Sequence, residues 1–295
     1  MKIVVLGAAA GGGLPQWNCG CQNCEMARHG QLPRMTQSSV AVSVTGARWA
    51  VLNASPDIRQ QLDVVTVMHP GALRGTPIQS VVLTNGDIDH VAGLLTLREK
   101  TPFTVYATSD GLDLLAQNPV FGVLDAELVA RRPIALDTVF EPIDGLHVTP
   151  FAVPGKVPLF MEDDDLDLQA MGEQTVGLKL QTAEKTAYYI PGCATVPDWL
   201  RHQLSDGDMI LFDGTVWEND EMQQTGTGQK TGARMGHIAM AGADGSLARL
   251  AHLEGRKVYI HINNTNPVLR PDSPERAEVE AAGWIIAQDG MELTP

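Results

Sequence analysis

Apolar residues fall along the chain in short runs broken by glycine, proline, asparagine or aspartate, the spacing of strands joined by turns. In the first half, residues 3–6, 39–44, 49–52 and 78–83 read as strands. Residues 57–62, which follow the helix-start pair Ser55-Pro56, read as a helix, as do residues 91–99, which follow Asp89-His90 with apolar positions at helical spacing. The second half repeats the style, with strands at 146–153, 175–181, 186–190, 209–212 and 257–262 and helices at 197–204, 246–253 and 274–282. Strands followed by helices in two similar halves predict an α+β fold of two packed sheets with helices outside. Repeats, low-complexity tracts and linker-like stretches are absent from the sequence, which predicts a single domain over residues 1–295.

Composition narrows the choice of partners. The chain carries 35 acidic against 21 basic side chains, a net charge of −14, which repels a phosphate backbone and argues against nucleic-acid binding. The sequence lacks any run of the ~20 apolar residues that a membrane-spanning helix requires. The opening apolar run is short and soon interrupted by glycines, so it reads as a first strand entering a turn rather than a secretory leader, and the expected location is the cytoplasm. Gly11-Gly12-Gly13 leads into Leu14-Pro15 and not into a helix, so the dinucleotide fingerprint is not met, and the glycines read instead as a sharp turn beside a site. Glu162-Asp163-Asp164-Asp165 lacks the glycine and spacing of a calcium loop and reads as a solvated loop.

Two segments carry the candidate chemistry. Cys19, Cys21 and Cys24 lie within six residues, and in a reducing compartment such crowding points to a structural Zn²⁺ held by thiolates. Three thiolates leave a fourth position, for which His29, Asn264 and His261 are the candidates. The second segment, Val81-Val82-Leu83-Thr84-Asn85-Gly86-Asp87-Ile88-Asp89-His90, is an apolar strand that runs into a turn bearing carboxylates and an imidazole.

This segment resembles the strand-to-turn signature of the metallo-β-lactamase superfamily, His-x-His-x-Asp-His, with Asn85 and Asp87 where the first two histidines stand. Tyr189-Ile190-Pro191-Gly192-Cys193 resembles the superfamily strand that ends in Gly-Asp, with Cys193 in place of the bridging aspartate. The segments around Asp213, His237 and His261 resemble the later motifs. The longer strings around Cys19, Thr36-Gln37-Ser38-Ser39, Asn53-Ala54-Ser55-Pro56-Asp57, Arg234-Met235-Gly236-His237 and His261-Ile262-Asn263-Asn264-Thr265-Asn266-Pro267 resemble the branch of that superfamily that serves the synthesis of pyrroloquinoline quinone (PQQ).

The resemblance implies an αββα sandwich. It also implies a metal centre drawn from Asp87, Asp89, His90 and His261, within which Asp89, His90 and His261 form the set of two imidazoles and one carboxylate used by non-haem Fe²⁺ oxygenases. Asp213 and His237 are then catalytic or supporting groups beside the metal, with a turn-forming role for Asp213 and a structural role for His237 as the competing readings. Cys193 is either a thiolate ligand or a small buried residue. The implied reaction is an O₂-using hydroxylation of the tyrosine ring in a cross-linked Glu-Tyr precursor of PQQ. An acidic precursor requires cationic anchors, for which Arg59, Arg98, Lys156 and Arg234 are the candidates. Contacts with other PQQ-pathway proteins and a homodimer are compatible with this reading. Two alternatives stand beside it: a carrier that holds PQQ or its precursor for transport to the periplasm, and a metal-dependent hydrolase, against which Asn85, Asp87 and Cys193 count.

Overall fold

A computed structural model of the chain describes residues 1–155 and 171–295. The first sheet contains β1 (Lys2–Gly7), β2 (Ser39–Ser43), β3 (Trp49–Leu52), β4 (Ile78–Val82), β5 (Phe103–Ala107) and β6 (Val129–Pro133) in that spatial order. The second runs from β7 (Phe140–Ile143) through β8 (Leu146–Ala152), β9 (Val176–Gln181), β10 (Thr186–Ile190), β11 (Met209–Asp213) and β12 (Arg256–Ile260) to β13 (Trp284–Ile286). The chain then returns to the first sheet, where β14 (Glu292–Leu293) pairs antiparallel with β1.

The apolar runs are continuous because the sheets are buried on both faces. Along β1, Ile3 and Val5 point into the core between the sheets, whereas Val4 and Leu6 join a second core under the outer helices. That outer core is completed by α2 (Ile58–Val64) and by Leu114 and Leu115 of α4 (Ser109–Gln117), while α8 (Pro274–Ala281) packs against β13. Two mixed sheets with helices outside make the αββα sandwich.

Strands β3 to β6 run parallel, as do β10 to β13. Their carboxyl ends deliver the loops that matter: 83–90 after β4, 191–195 after β10, 214–221 after β11 and 261–266 after β12. Side-chain amides lace these loops together. Asn53, fully buried and left-handed at φ +60°, accepts from Thr84 N–H at 2.9 Å and donates to Tyr189 Oη at 3.3 Å, which ties the ends of β3, β4 and β10. Asn266 donates to the Gly214 and Thr215 carbonyls at 3.0 and 3.3 Å. Glu221, which opens α6 (Glu221–Gln224), accepts from Trp217 N–H at 2.6 Å and Thr265 Oγ1 at 2.5 Å.

The helix expected over 91–99 differs from the sequence reading. The chain forms a short α3 (Ile88–Val91) followed by a 3₁₀ turn, Ala92–Leu95. Here the backbone is drawn away from helical pairing: Ala54 N–H donates to His90 O at 2.7 Å and Gly93 N–H to Ala54 O at 2.9 Å. A Cβ on Gly93 would lie 2.2 Å from Ser55 O, so only glycine admits this approach. The helix expected over 246–253 stops at Arg249, as α7 (Ser246–Arg249).

Burial pushes the Glu221 carboxyl up to about 7, against the pull of its hydrogen bonds. Because the folded value lies above the unfolded one, the stability it contributes is complete below the ordinary carboxylate range and is lost as pH rises through about 7. Urea unfolding should therefore show Glu221→Gln gaining on the wild type by roughly 3 kcal/mol between pH 4.5 and 8. Parallel pH profiles for the two proteins would refute this.

Candidate functional site

The loop after β4 carries Asp89 and His90 into the start of α3, and His261 follows the last residue of β12 from the other sheet. His261 adopts a left-handed backbone, φ +56°, a strained choice for a non-glycine residue that is held through the residue after it: Ile262 N–H donates to Ala8 O and Ala10 N–H to Ile262 O, each at 2.9 Å. Gly12 and Gly13, at φ +94° and +69°, turn the adjoining strand end past the same place, and a Cβ on Gly11 would lie 3.4 Å from Asp89 Oδ2.

One ligand atom each from Asp89, His90 and His261 lie within 4.8 Å of one another, a grouping that could hold a metal ion. His261 Nε2 is 3.1 Å and His90 Nε2 3.9 Å from Asp89 Oδ2. The His90 ring is fixed through Nδ1, 2.6 Å from Asn85 Oδ1. That oxygen also accepts the Asp87 backbone N–H at 3.1 Å, so it is the oxygen that faces His90 and the ring donates. His90 Nε2 is then bare, and it is buried with no hydrogen-bond partner among the described residues.

Charge in the site follows from these contacts. Burial alone would raise the Asp89 carboxyl, but the His90 and His261 imidazoles outweigh it and hold the group well below the usual carboxylate range. Burial pushes His90 down despite Asp89. At His261 burial acts downward too, yet the hydrogen bond and charge of Asp89, with Asp213 and Asp87 behind, turn the net shift upward.

Beside this group, His237 stacks on His261 with ring centroids 5.0 Å apart and donates through Nδ1 to Asp213 Oδ2 at 2.8 Å. Thr215 Oγ1 lies 2.7 Å from Asp213 Oδ1 and 2.8 Å from His261 Nδ1. Asp213, His237 and His261 form a second group within metal-binding reach, in which the Asp213 oxygens and the Nδ1 atoms of both rings are engaged by these bonds.

Cys19, Cys21 and Cys24 make the third group, at the start of α1 (Gln22–Arg28). The Asn264 amide reaches all three sulfurs, at 3.2, 3.5 and 3.3 Å. Burial raises the Cys21 thiol, but hydrogen bonds from Cys24, Cys19 and Asn264 outweigh it and lower the net value, whereas burial and the neighbouring Cys21 push Cys24 up to about 12. Asn23 holds the opposite loop, donating to the Asn264 and Asn266 carbonyls at 2.9 Å each and accepting from Arg270 Nη1 at 2.9 Å.

A family model described as a beta-lactamase superfamily domain matches residues 48–262. Coenzyme PQQ synthesis protein B of Ruegeria pomeroyi is 61% identical over 99% of both chains, and that of Rhizobium meliloti is 56% identical over 99% of this chain and 97% of its own. The chain belongs to the coenzyme PQQ synthesis protein B family of the beta-lactamase superfamily. A crystal structure of Zn(2+)-bound PqqB from Methylobacterium extorquens superposes with a TM-score of 0.98 at 55% identity over the whole of both chains. A diphosphatase from the PhnP family shares the fold, with a TM-score of 0.70 at 19% identity over all of this chain and 97% of its own. Family membership gives the protein a role in PQQ biosynthesis.

Within this coenzyme PQQ synthesis family member, several residues stand elsewhere than the sequence suggests. Asp87 is not in any of the three metal-capable groups; its Oδ2 accepts from Asn85 Nδ2 at 3.3 Å. Arg59 lines a surface cavity with Ile78 and Phe103, the first residues of β4 and β5, at the strand ends opposite to Asp89, and Arg98 pairs with Glu99 at 3.5 Å. Arg234 lies in the 3₁₀ turn Ala233–Met235, just before His237. Lys156 and the run Glu162 to Asp165 lie outside the described residues. Exposed His29 bonds to Glu25 O at 2.8 Å, away from the sulfurs. Cys193 is buried, donates to Thr195 O at 2.9 Å and is raised by burial and by Asp213. Sequence reasoning gave no role to Thr215 or Asn23, although one follows Asp213-Gly214 and the other lies between Cys21 and Cys24.

Replacing Asn23 with Ala removes three bonds from a residue only 1% exposed. Stability should fall by about 1–3 kcal/mol. In the metal-free protein the loop bearing Asn264 should loosen as well, seen as faster labelling of Cys21 and Cys24 by a disulfide reagent. Unchanged labelling would show that Asn23 does not hold the loop.

Proposed function

We propose that the protein serves PQQ biosynthesis as an Fe²⁺-dependent hydroxylase that uses O₂ to oxygenate the tyrosine-derived ring of a cross-linked Glu-Tyr precursor. The observation that carries this reading is the convergence of Asp89, His90 and His261 around a bare, buried and unpartnered His90 Nε2. The residues fit an ion: a nitrogen lone pair with nothing to accept, beside a carboxylate held ionised, is a donor set awaiting a cation. Fe²⁺ bound by two imidazoles and one carboxylate keeps open positions and supplies redox chemistry with O₂. The net reaction places one oxygen atom on a ring carbon, and the other leaves as water with two electrons and two protons from a reductant.

The protein's own groups do the rest. Asn85 holds the His90 ring by its Nδ1–H, and the Asp213 carboxylate holds His237 in the same way. His237 Nε2 is thereby free to take the phenol proton, with Asp213 stabilising the imidazolium that forms. A cavity of about 690 Å³ opens beside His237, lined by Ala194, Thr195, Asn219, Ala239 and Ala241, a volume suited to a small organic substrate. Of the candidate cationic anchors, Arg234 stands nearest in the chain to this catalytic pair. The cysteine cluster is read as a structural Zn²⁺ site, a reading supported by the Zn(2+)-bound relative; the Asn264 amide, whose Nδ2 donates to all three sulfurs, is placed to supply the fourth ligand through its oxygen once the amide turns over. Among the described residues no helix is long and apolar enough to cross a membrane.

Anaerobic loading with Fe²⁺, followed by O₂, a reductant and the precursor, should give a hydroxylated product by mass spectrometry. Asp89→Ala and His90→Ala should abolish it, whereas Cys24→Ser should cost one equivalent of zinc. An inactive loaded enzyme that still binds PQQ, equally well in Asp89→Ala and His90→Ala, would establish the carrier reading instead.

A further inference from the structure

The hydrogen bonds around Thr215 pose a counting problem. Its Oγ1, only 4% exposed as a residue, lies within bonding distance of Asp213 Oδ1 (2.7 Å), His261 Nδ1 (2.8 Å), His261 O (2.9 Å) and His237 Nδ1 (3.1 Å). A hydroxyl has one proton and two lone pairs. Asp213 Oδ1 and His261 O can only accept, whereas a ring nitrogen can donate or accept; a proton sent to a ring would leave the hydroxyl lone pairs against both oxygens, so it goes to the carboxylate oxygen, the nearer and the stronger acceptor of the two. With the proton committed, the hydroxyl can meet a ring nitrogen only through a lone pair. His237 Nδ1 already donates to Asp213 Oδ2 at 2.8 Å, which leaves His261 Nδ1 as the donor to Thr215.

We propose that Thr215 is a positioning residue that selects the Nδ1–H form of His261 and so presents its bare Nε2 to Asp89 and the proposed ion. The inference rests on the metal reading above and adds a residue to which that reading gives no part. One hydroxyl passes the orientation of Asp213 on to His261, so the catalytic pair and the ligand ring are set by the same group. In that form a bare nitrogen faces Asp89 Oδ2 at 3.1 Å, an arrangement that a cation shared by the two would make favourable.

The test uses Thr215→Val, which removes the hydroxyl, and Thr215→Ser, which keeps it. In the wild type and the serine variant, ¹⁵N-edited NMR should show His261 protonated at Nδ1, both in the zinc-loaded protein and in the metal-free protein at alkaline pH, where the rings are neutral. The valine variant should lose that signal. Competition with a chromophoric chelator should show Co²⁺ binding at Asp89, His90 and His261 weakened roughly 10- to 100-fold in the valine variant and restored by serine. An unchanged His261 tautomer in the valine variant overturns the proposal, as does a serine variant that loses the Nδ1–H signal. A wild type that binds no ion at these residues defeats the metal reading alone, since the tautomer in the metal-free protein still decides the role of Thr215.

Discussion

The site depends on a carboxylate with no access to solvent. Asp213, at the end of β11, is 0% exposed, and an ionisable group so placed is tolerated only if its lone pairs are filled. Oδ1 takes the Thr215 N–H and hydroxyl, and Oδ2 takes the Cys193 N–H and the His237 ring. These donors come from three separate stretches of chain, so the demand of one buried group decides where the loops after β10 and β11 and the segment around His237 meet. Cys193 contributes its backbone here, and its thiol is turned to Thr195 O.

Asn85 has a similar use after β4. Its amide oxygen accepts both the Asp87 N–H and the His90 ring, so it works as a support for the neighbouring imidazole. The result is a compact donor set of Asp89, His90 and His261 flanked by hydrogen-bonding side chains. Such an arrangement is consistent with the single-ion chemistry proposed.

Much of the fold was legible because strands buried on both faces write themselves as unbroken apolar runs, as in residues 49–52 and 186–190, which match β3 and β10 to the residue. Residues 129–133 were silent because β6 lies at a sheet edge and carries two arginines and a proline, and β14 is only two residues long. The helix expected after His90 failed because its backbone donors and acceptors are spent on Ala54, a contact no local pattern records. In the site, the cysteine cluster and the Asp89-His90 pair announce themselves by local spacing. The meeting of Asn264 with cysteines about 240 residues away, and of Thr215 with two rings, exists only in three dimensions. Arg59 and Arg98 were chosen by charge alone, which says nothing about the end of a strand on which a residue falls.

The segment after β12 has a further property. His261 faces Asp89 while Asn264, three positions on, faces the sulfurs, and Ala8, Ala10 and Asn23 clamp the backbone between and beside them. Side chains along such a segment can be exchanged one at a time, but its length cannot change: gaining or losing a single residue would misdirect one of the two side chains whichever way the chain was threaded. The two clusters are thus bound to a common reading frame in space, and a change of length between them could keep one aligned only by spoiling the other.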